Sequence, residues 1–366
     1  QLERIDTTRT WSHEQMSCDL LEYLWDANGL EDWVDPDARD ALSRRDLKVV
    51  QEIISMDKGD YDNNGCYVRR EGRPRLHLGG KMYLYEIVAN GRNSVDVDKF
   101  DYLLRDSAAC NVKISFDHTR LVQLSKVIYD PVSQQDHICF KQKEAFWVYN
   151  LFNSRATMHQ AVYTHAKAKA VEFMVTDAIV AADRHFQFNE LIWSPATFRN
   201  LDDSLLRRIE WSDSDDLAES RAILKRLRLR DLYRYVGEFT VPDSLHSGWK
   251  QVTAQDIVNA APPRSSLTTK DVIVDNREIN YSMKARDPVN KVNFFDHLDS
   301  TVAGPLSKAQ VSSLLPSVFQ DKKVRAFVRD GSKLDEAVQA LNNLARARNC
   351  TSPVGNTPLK RRRADL

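Results

Sequence analysis

The sequence predicts a mostly α-helical body followed by a small α+β lobe. Three observations carry that expectation. Residues 144–183 hold the longest helical pattern, uninterrupted by Gly or Pro. The texture changes after Gly237, where residues 240–268 contain Pro242, Pro262, Pro263 and several serines. Short β-rich runs then follow at Asp271-Val272-Ile273-Val274, Val289 to Phe295 and Val324 to Val328, interleaved with helical patterns near 307–314 and 333–348. Strands and helices mixed in one short stretch point to an α+β lobe.

Taken in order, Ser12 is placed to cap a helix over 13–27, because its short side chain can accept from a free backbone N–H of the first turn. Residues 36–56 read as one or two helices, and 59–80, rich in Gly, Asp, Asn and Arg, as a loop. Helices are expected near 82–90 and 94–107, and Asp117 can cap another over 118–127. Beyond Pro195 come helices near 199–210 and 215–236. The expected organisation is a helical domain over 1–239, a linker or irregular crossing over 240–268, the lobe over 269–349 and a disordered basic tail over 350–366.

Length and composition narrow the class. The 366 residues suffice for more than one domain, and 42% hydrophobic with 28% charged residues is ordinary for a globular protein. Formal net charge is zero, so nothing draws the whole chain toward nucleic acid or an anionic membrane. No apolar run reaches the roughly 18 residues a spanning helix needs. No signal-peptide pattern is seen, and five scattered cysteines without a Cys-x-x-Cys pair predict a reducing compartment rather than a zinc finger. The first residue is Gln1 rather than Met, so a processed chain or a fragment is expected.

Two polar helix faces could carry chemistry. Asp98, Tyr102 and Asp106 lie four apart and stack on one side, while Val97, Phe100, Leu103 and Leu104 form an apolar stripe. Arg155, His159 and Tyr163 repeat the spacing on the long helical pattern. Arg offers a fork for phosphate oxygens, His a titratable group and Tyr a ring or a proton. Solvated faces laced with ion pairs account for both patterns equally well. His13-Glu14 is a weaker third candidate, since acids favour helix starts in any case. Lys141 with Lys143, and Arg226, Arg228, Arg230 with Arg234, form basic clusters that suit phosphates or plain solvent. Thr357-Pro358-Leu359-Lys360 has the form of a proline-directed kinase site, and Lys360 to Arg363 that of a nuclear-import signal. The chain has no P-loop, Gly-x-Ser-x-Gly, His-Glu-x-x-His or His-Asp motif.

Longer runs bear a resemblance to a known family. Leu84-Tyr85-Glu86-Ile87-Val88-Ala89-Asn90, Asn93 to Asp106, Arg230-Asp231-Leu232-Tyr233-Arg234-Tyr235-Val236-Gly237-Glu238 and Gln310-Val311-Ser312-Ser313-Leu314-Leu315-Pro316 resemble the animal SAM- and HD-domain-containing deoxynucleoside triphosphate triphosphohydrolases. The similarity runs from about Trp11 to about Pro353. It implies the C-terminal part of a helical HD core with an α+β regulatory and oligomerisation lobe. It also implies cleavage of dNTPs to deoxynucleoside and inorganic triphosphate, a dGTPase-type activity that controls dNTP pools. In the family a His…His-Asp…Asp set holds a catalytic divalent metal, with Zn, Fe, Mn and Mg all open. Asp98 matches its last ligand, and the others are expected before Gln1, so this chain alone is expected to be inactive. His13 matches a histidine near the catalytic centre. Lys99, Tyr102, Asp106, Arg155 and Tyr163 match residues lining substrate phosphates, sugar and base, with His159 beside them.

The same resemblance implies activation by GTP or dGTP together with a dNTP, at sites between subunits of a homotetramer. Asp117, Arg120, Lys141, Lys143, His165, Arg230 and Arg286 match that regulatory surface. Three positions depart from it: Ala166 stands where a lysine is usual, Trp147 where a polar contact is usual and Thr164 where a base-contacting glutamine is usual. Cys139 matches a redox-sensitive cysteine, without a matching partner. Thr357 matches a cell-cycle phosphorylation site, and Arg230-Asp231-Leu232 has the form of a cyclin-docking motif, which a buried structural turn explains as well. A nuclear location, shared with the cytoplasm, and an antiviral role are further implications, and no membrane partner is expected. The alternative is a non-catalytic relative that binds nucleotides or single-stranded nucleic acid through its basic clusters.

Overall fold

A computed structural model describes residues 11–33, 42–55, 81–312 and 314–351. Its helices include α1 (His13–Ala27), α2 (Arg44–Ser55), α3 (Val97–Cys110), α4 (His118–Gln123), α5 (Ala145–Met158), α6 (Ala166–Phe186), α7 (Ala218–Arg228), α8 (Ala254–Asn259) and α9 (Leu334–Ala347). Its strands are β1 (Ser125–Asp130), β2 (Gln135–Lys141), β3 (Arg234–Thr240), β4 (Val272–Asn280), β5 (Phe294–Phe295) and β6 (Gln320–Val328). The architecture is mostly helical with small sheets, as the sequence predicts. Two compact units divide the chain, each assembled from separated stretches. Gln1–Met158, Phe186–Arg207 and Tyr281–Ser317 form the first, and His159–His185, Arg208–Asn280 and Val318–Leu366 the second.

In the first unit, the Ser12 side chain accepts from Gln15 N at 3.1 Å and starts α1 as expected. Gln51 Nε2 donates to Cys18 O at 3.0 Å, which ties α2 to α1. The Tyr85 ring is fully buried and its hydroxyl donates to Glu52 of α2 at 2.7 Å. The apolar stripe of α3 buries Phe100 and Leu103. Helix α4 ends at Gln123 instead of near 127, because an antiparallel β1–β2 hairpin begins at Ser125. The sequence reading missed this hairpin. Its signal is there in Lys126-Val127-Ile128-Tyr129 and His137-Ile138-Cys139-Phe140, two alternating β-branched and aromatic runs around Pro131. The Val289–Phe295 run shrinks to a 3₁₀ turn at Pro288–Lys291 and the two-residue β5. β5 pairs in parallel with β2 (Phe140 with Phe294), and so belongs to this sheet rather than to the lobe sheet.

The long pattern at 144–183 is two helices. Residues His159–Tyr163 form a wider π turn, and the Thr164 hydroxyl and N–H both bond back to His159 O, at 2.7 and 2.9 Å. This corrects the expectation of one uninterrupted helix, while His159 and Tyr163 still meet across the π turn. Arg155 falls in the first unit, and His159 and Tyr163 in the second.

The second unit is built on an antiparallel sheet in the order β3-β6-β4. Alternation along β6 sends Val324, Ala326 and Val328 to a core with Ala337, Ala340 and Leu341 of α9. Phe327 points the other way, against Ala170 and Met174 of α6. The expected 215–236 helix stops at Arg228, and Arg234 already begins β3. Val252, Ile257 and Leu267 are buried in the α9-facing core, so the segment read as an irregular crossing contributes to packing. None of the described helices is long and apolar enough to cross a membrane.

Phe327 is fully buried, with the Phe173 ring 5.4 Å away, edge to face. Phe327→Ala is expected to cost about 3–5 kcal/mol in urea unfolding. A loss below about 1 kcal/mol would show that this face of the sheet is not a packed core.

Candidate active site

The site on α3 is built from a buried carboxylate outward. Glu86, 1% exposed, accepts from Arg92 Nε at 2.7 Å, from Arg92 Nη2 at 3.2 Å and from Ile138 N at 2.9 Å. His137 Nδ1 lies 2.7 Å from its Oε1. Burial works to raise the Glu86 pKa, but Arg92 and His137 outweigh it and hold the carboxyl below its ordinary value. Arg92 also donates to Lys291 O at 3.0 Å.

Asn90 then folds the loop that leads into α3. Its Oδ1 accepts from Arg92 N and Asn93 N at 3.1 and 3.2 Å, and its Nδ2 donates to Val95 O at 3.1 Å. Ser94 takes a left-handed φ of 62° inside this loop. Asp96 closes it. One of its oxygens accepts from Asn90 N at 3.1 Å, and the other caps α3 by accepting from Lys99 N at 3.0 Å.

The candidate side chains on α3 follow this cap. Lys99 is 7% exposed, with Nζ 3.5 Å from Asp96. Burial lowers its pKa, Asp96 opposes that, and Arg155 adds to it. Tyr102 is hydrogen-bonded to Arg155, and burial raises its phenol pKa, which keeps the ring neutral at physiological pH. Asp98 is exposed and makes no hydrogen bond or ion pair among the described residues. Partial desolvation, then Asp96 and Asp101, raise its pKa. Its ionised form is therefore lost sooner than an ordinary aspartate's as pH falls, and cation binding there weakens with it. Asp106 sits two turns further on, half-buried. The expected Asp98–Tyr102–Asp106 face is thus present in the first unit, with Lys99 and Arg155 beside Tyr102. His159 and Tyr163 meet edge to face at 5.1 Å in the second unit.

His13 is 81% exposed and pairs with Glu14 at 3.1 Å. Among the described residues no group of three or more His, Cys, Asp or Glu is placed to hold a metal, so they do not by themselves make a metal centre. Asp98 is one open carboxylate.

The positions matched to the regulatory surface fall in both units. Asp117 caps α4 by accepting from Arg120 N at 3.0 Å, and Arg120 forks onto the buried Glu144 at 2.6 and 2.7 Å. Lys141 and Lys143 line a cavity of about 680 Å³ with Phe146, Asp296, His297 and Gln310. Arg286 belongs to the first unit, and His165 and Arg230 to the second. Arg230 is exposed with φ 60°. Its basic neighbours have acid partners: Arg226 and Arg234 bond Asp231, and Arg228 bonds Glu210. Leu232 packs partly buried against the Phe327 cluster, and Tyr233 is buried with its hydroxyl on Asp177 at 2.8 Å. Both are held inside the fold, where a docking peptide must stand free. Burial pushes the Cys139 thiol up to about 12, which makes it unreactive. Thr357 and Lys360 to Arg363 lie outside the described residues.

Sequence reasoning missed Glu86, Arg92 and Asn90, the frame of the site. Glu86 and Arg92 lie six apart, a spacing with no helical or strand meaning, so no periodicity marks them.

A mostly helical unit that carries the Asp98–Tyr102–Asp106 face on α3, together with an α+β unit, defines the class, and comparison with known proteins places the chain in a family. Residues 116–342 match the family described as the HD associated region, and the chain belongs to that family. It is similar to proteins named deoxynucleoside triphosphate triphosphohydrolase SAMHD1. The Dictyostelium discoideum homolog is 34% identical over 95% of this chain and 61% of its own length. The Gallus gallus protein is 32% identical over 87% of this chain and 53% of its own length, and the Homo sapiens protein 29% over 94% and 56%. The chain thus spans somewhat more than half the length of these relatives.

Asp96→Ala removes the α3 cap and leaves the buried Asn90 N–H unpaired. It is expected to destabilise the first unit by about 1–2 kcal/mol in chemical denaturation, with Asp96→Asn costing less. Equal stability of Asp96→Ala and the parent chain would remove Asp96 from the frame.

Proposed function

We propose that the polypeptide carrying these residues hydrolyses deoxynucleoside triphosphates to deoxynucleoside and inorganic triphosphate, and that α3 with Arg155 reads the substrate. The observation that supports this most is Tyr102 hydrogen-bonded to Arg155, beside the buried Lys99 and the open Asp98 carboxylate, in a chain similar to named dNTP triphosphohydrolases. A divalent metal belongs to the same reading, with Asp98 the one described residue to hold it.

Each side chain has a task that its chemistry fits. Burial lowers the Lys99 pKa, and a polyanion beside it would favour the charged ammonium and bind to it. Arg155 offers phosphate oxygens a planar fork and reaches them while bonded to Tyr102. The neutral phenol of Tyr102 is assigned to the deoxyribose, which a 2′-hydroxyl would crowd. Asp106 is assigned to sugar and base. The cavity at Lys141 and Lys143 suits an anionic effector and supports activation by GTP or dGTP with a dNTP. Homotetramer assembly, dNTP-pool control, a nuclear site of action and phosphorylation at Thr357 complete the proposal. The nucleic-acid-binding alternative is less supported, since Arg226, Arg228 and Arg234 already carry acid partners.

The test is product analysis. The endogenous polypeptide is incubated with dGTP, GTP and Mg²⁺ or Mn²⁺, and products are separated by ion-exchange chromatography. Deoxyguanosine and triphosphate in equal amounts are expected, with kcat/KM lowered about a hundredfold or more by Lys99→Ala. Formation of dGMP and pyrophosphate, or turnover indifferent to Lys99, would contradict the proposal.

A further inference from the structure

A second constellation lies apart from α3, at the β1–β2 hairpin. Ser133, half-buried in the turn, has its Oγ 2.8 Å from His137 Nε2. His137 is 1% exposed, and its Nδ1 is 2.7 Å from Glu86 Oε1. Hydroxyl, imidazole and buried carboxylate in series at these distances have the roles of a nucleophile, a base and an orienting acid. Asp98, Lys99, Tyr102 and Arg155 take no part in it.

The proton positions follow from the chemistry. The Glu86 carboxyl is held ionised and can only accept, so His137 Nδ1 carries the proton that bonds it. In the neutral ring Nε2 is then an acceptor aimed at the Ser133 hydroxyl. Three other polar groups face the array. Arg92 shares Glu86 Oε1, which keeps that carboxylate fixed and ionised. Asp130 also hydrogen-bonds Ser133, so its carboxylate competes with His137 Nε2 for the one hydroxyl proton. Ile138 N donates to the other Glu86 oxygen and fixes its plane.

We propose that Ser133 is an activated nucleophile that takes an acyl group from a small ester or thioester donor. Ser133 Oγ attacks the donor carbonyl carbon, and the Oγ proton passes to His137 Nε2. The bond from that carbon to the leaving oxygen or sulfur breaks, and the leaving group takes the proton from His137. The product is acyl-Ser133, and His137 returns to its starting form. Glu86 is a positioning residue here, because it acts only through the ring.

The probes are an alkyl fluorophosphonate, which forms an Oγ–P bond with loss of fluoride, and p-nitrophenyl acetate. The chain is labelled briefly and its serines are mapped by peptide mass spectrometry. Ser133 is expected to react about a hundredfold faster than any other serine, and His137→Gln to remove most of that excess. Substitution at the buried His137 can disturb folding, so a second variant leaves the ring in place. Ser133→Cys, in the turn, is expected to react with iodoacetamide at neutral pH at least about tenfold faster than the exposed Cys110 of the same molecule. Label spread evenly over serines, or an introduced thiol no faster than that of Cys110, would leave the array as structural hydrogen bonds and overturn the proposal.

Discussion

The first unit depends on one buried carboxylate. Glu86 meets Arg92 from the 90–96 loop, and His137 and Ile138 N from β2, while Arg92 carries the link on to Lys291. Four separated stretches of chain are held to one another through that charge. A buried ion pair gains little over an apolar replacement, but loss of one partner strands a charge in low dielectric. Such an arrangement fixes a geometry more than it adds stability. The geometry it fixes is the entry of α3.

From there the electrostatics of the site follow. The loop ends on Asp96, which is both the helix cap and the nearest anion to Lys99. The same charge lies close enough to raise the pKa of Asp98. One residue therefore holds the helix start, partly neutralises the buried ammonium and makes the neighbouring carboxylate harder to ionise. A cation at Asp98 and a polyphosphate at Lys99 and Arg155 would each relieve one of these strained charge states. That would give the proposed metal and substrate a physical reason to bind together.

Much of the fold was legible in the sequence, and what was not has identifiable causes. Ser12, Asp96 and Asp117 cap helices because their side chains bond the first turn locally, and that can be read from neighbours in sequence. The Asp98–Tyr102–Asp106 face was legible because helical spacing sets it. The single long helix over 144–183 failed where the Thr164 hydroxyl bonds back and the turn at His159–Tyr163 widens, a choice that hydropathy does not carry. β5 was assigned to the wrong sheet because its partner, β2, lies far upstream in the chain. The Glu86 frame was invisible for the same reason: its partners are long-range, and a buried acid and base look like any surface pair in sequence. The family resemblance offered Lys99 and Arg155 as candidates, and the structure adds that Lys99 is buried beside Asp96 and that Arg155 is bonded to Tyr102.

The most direct test of this account is hydrogen–deuterium exchange on the chain with Glu86→Gln. The account predicts faster exchange of the amides from Gly91 to Phe100, with those of α9 in the second unit unchanged. Unchanged exchange across Gly91–Phe100 would contradict it, and would mean that the α3 site stands without its buried carboxylate.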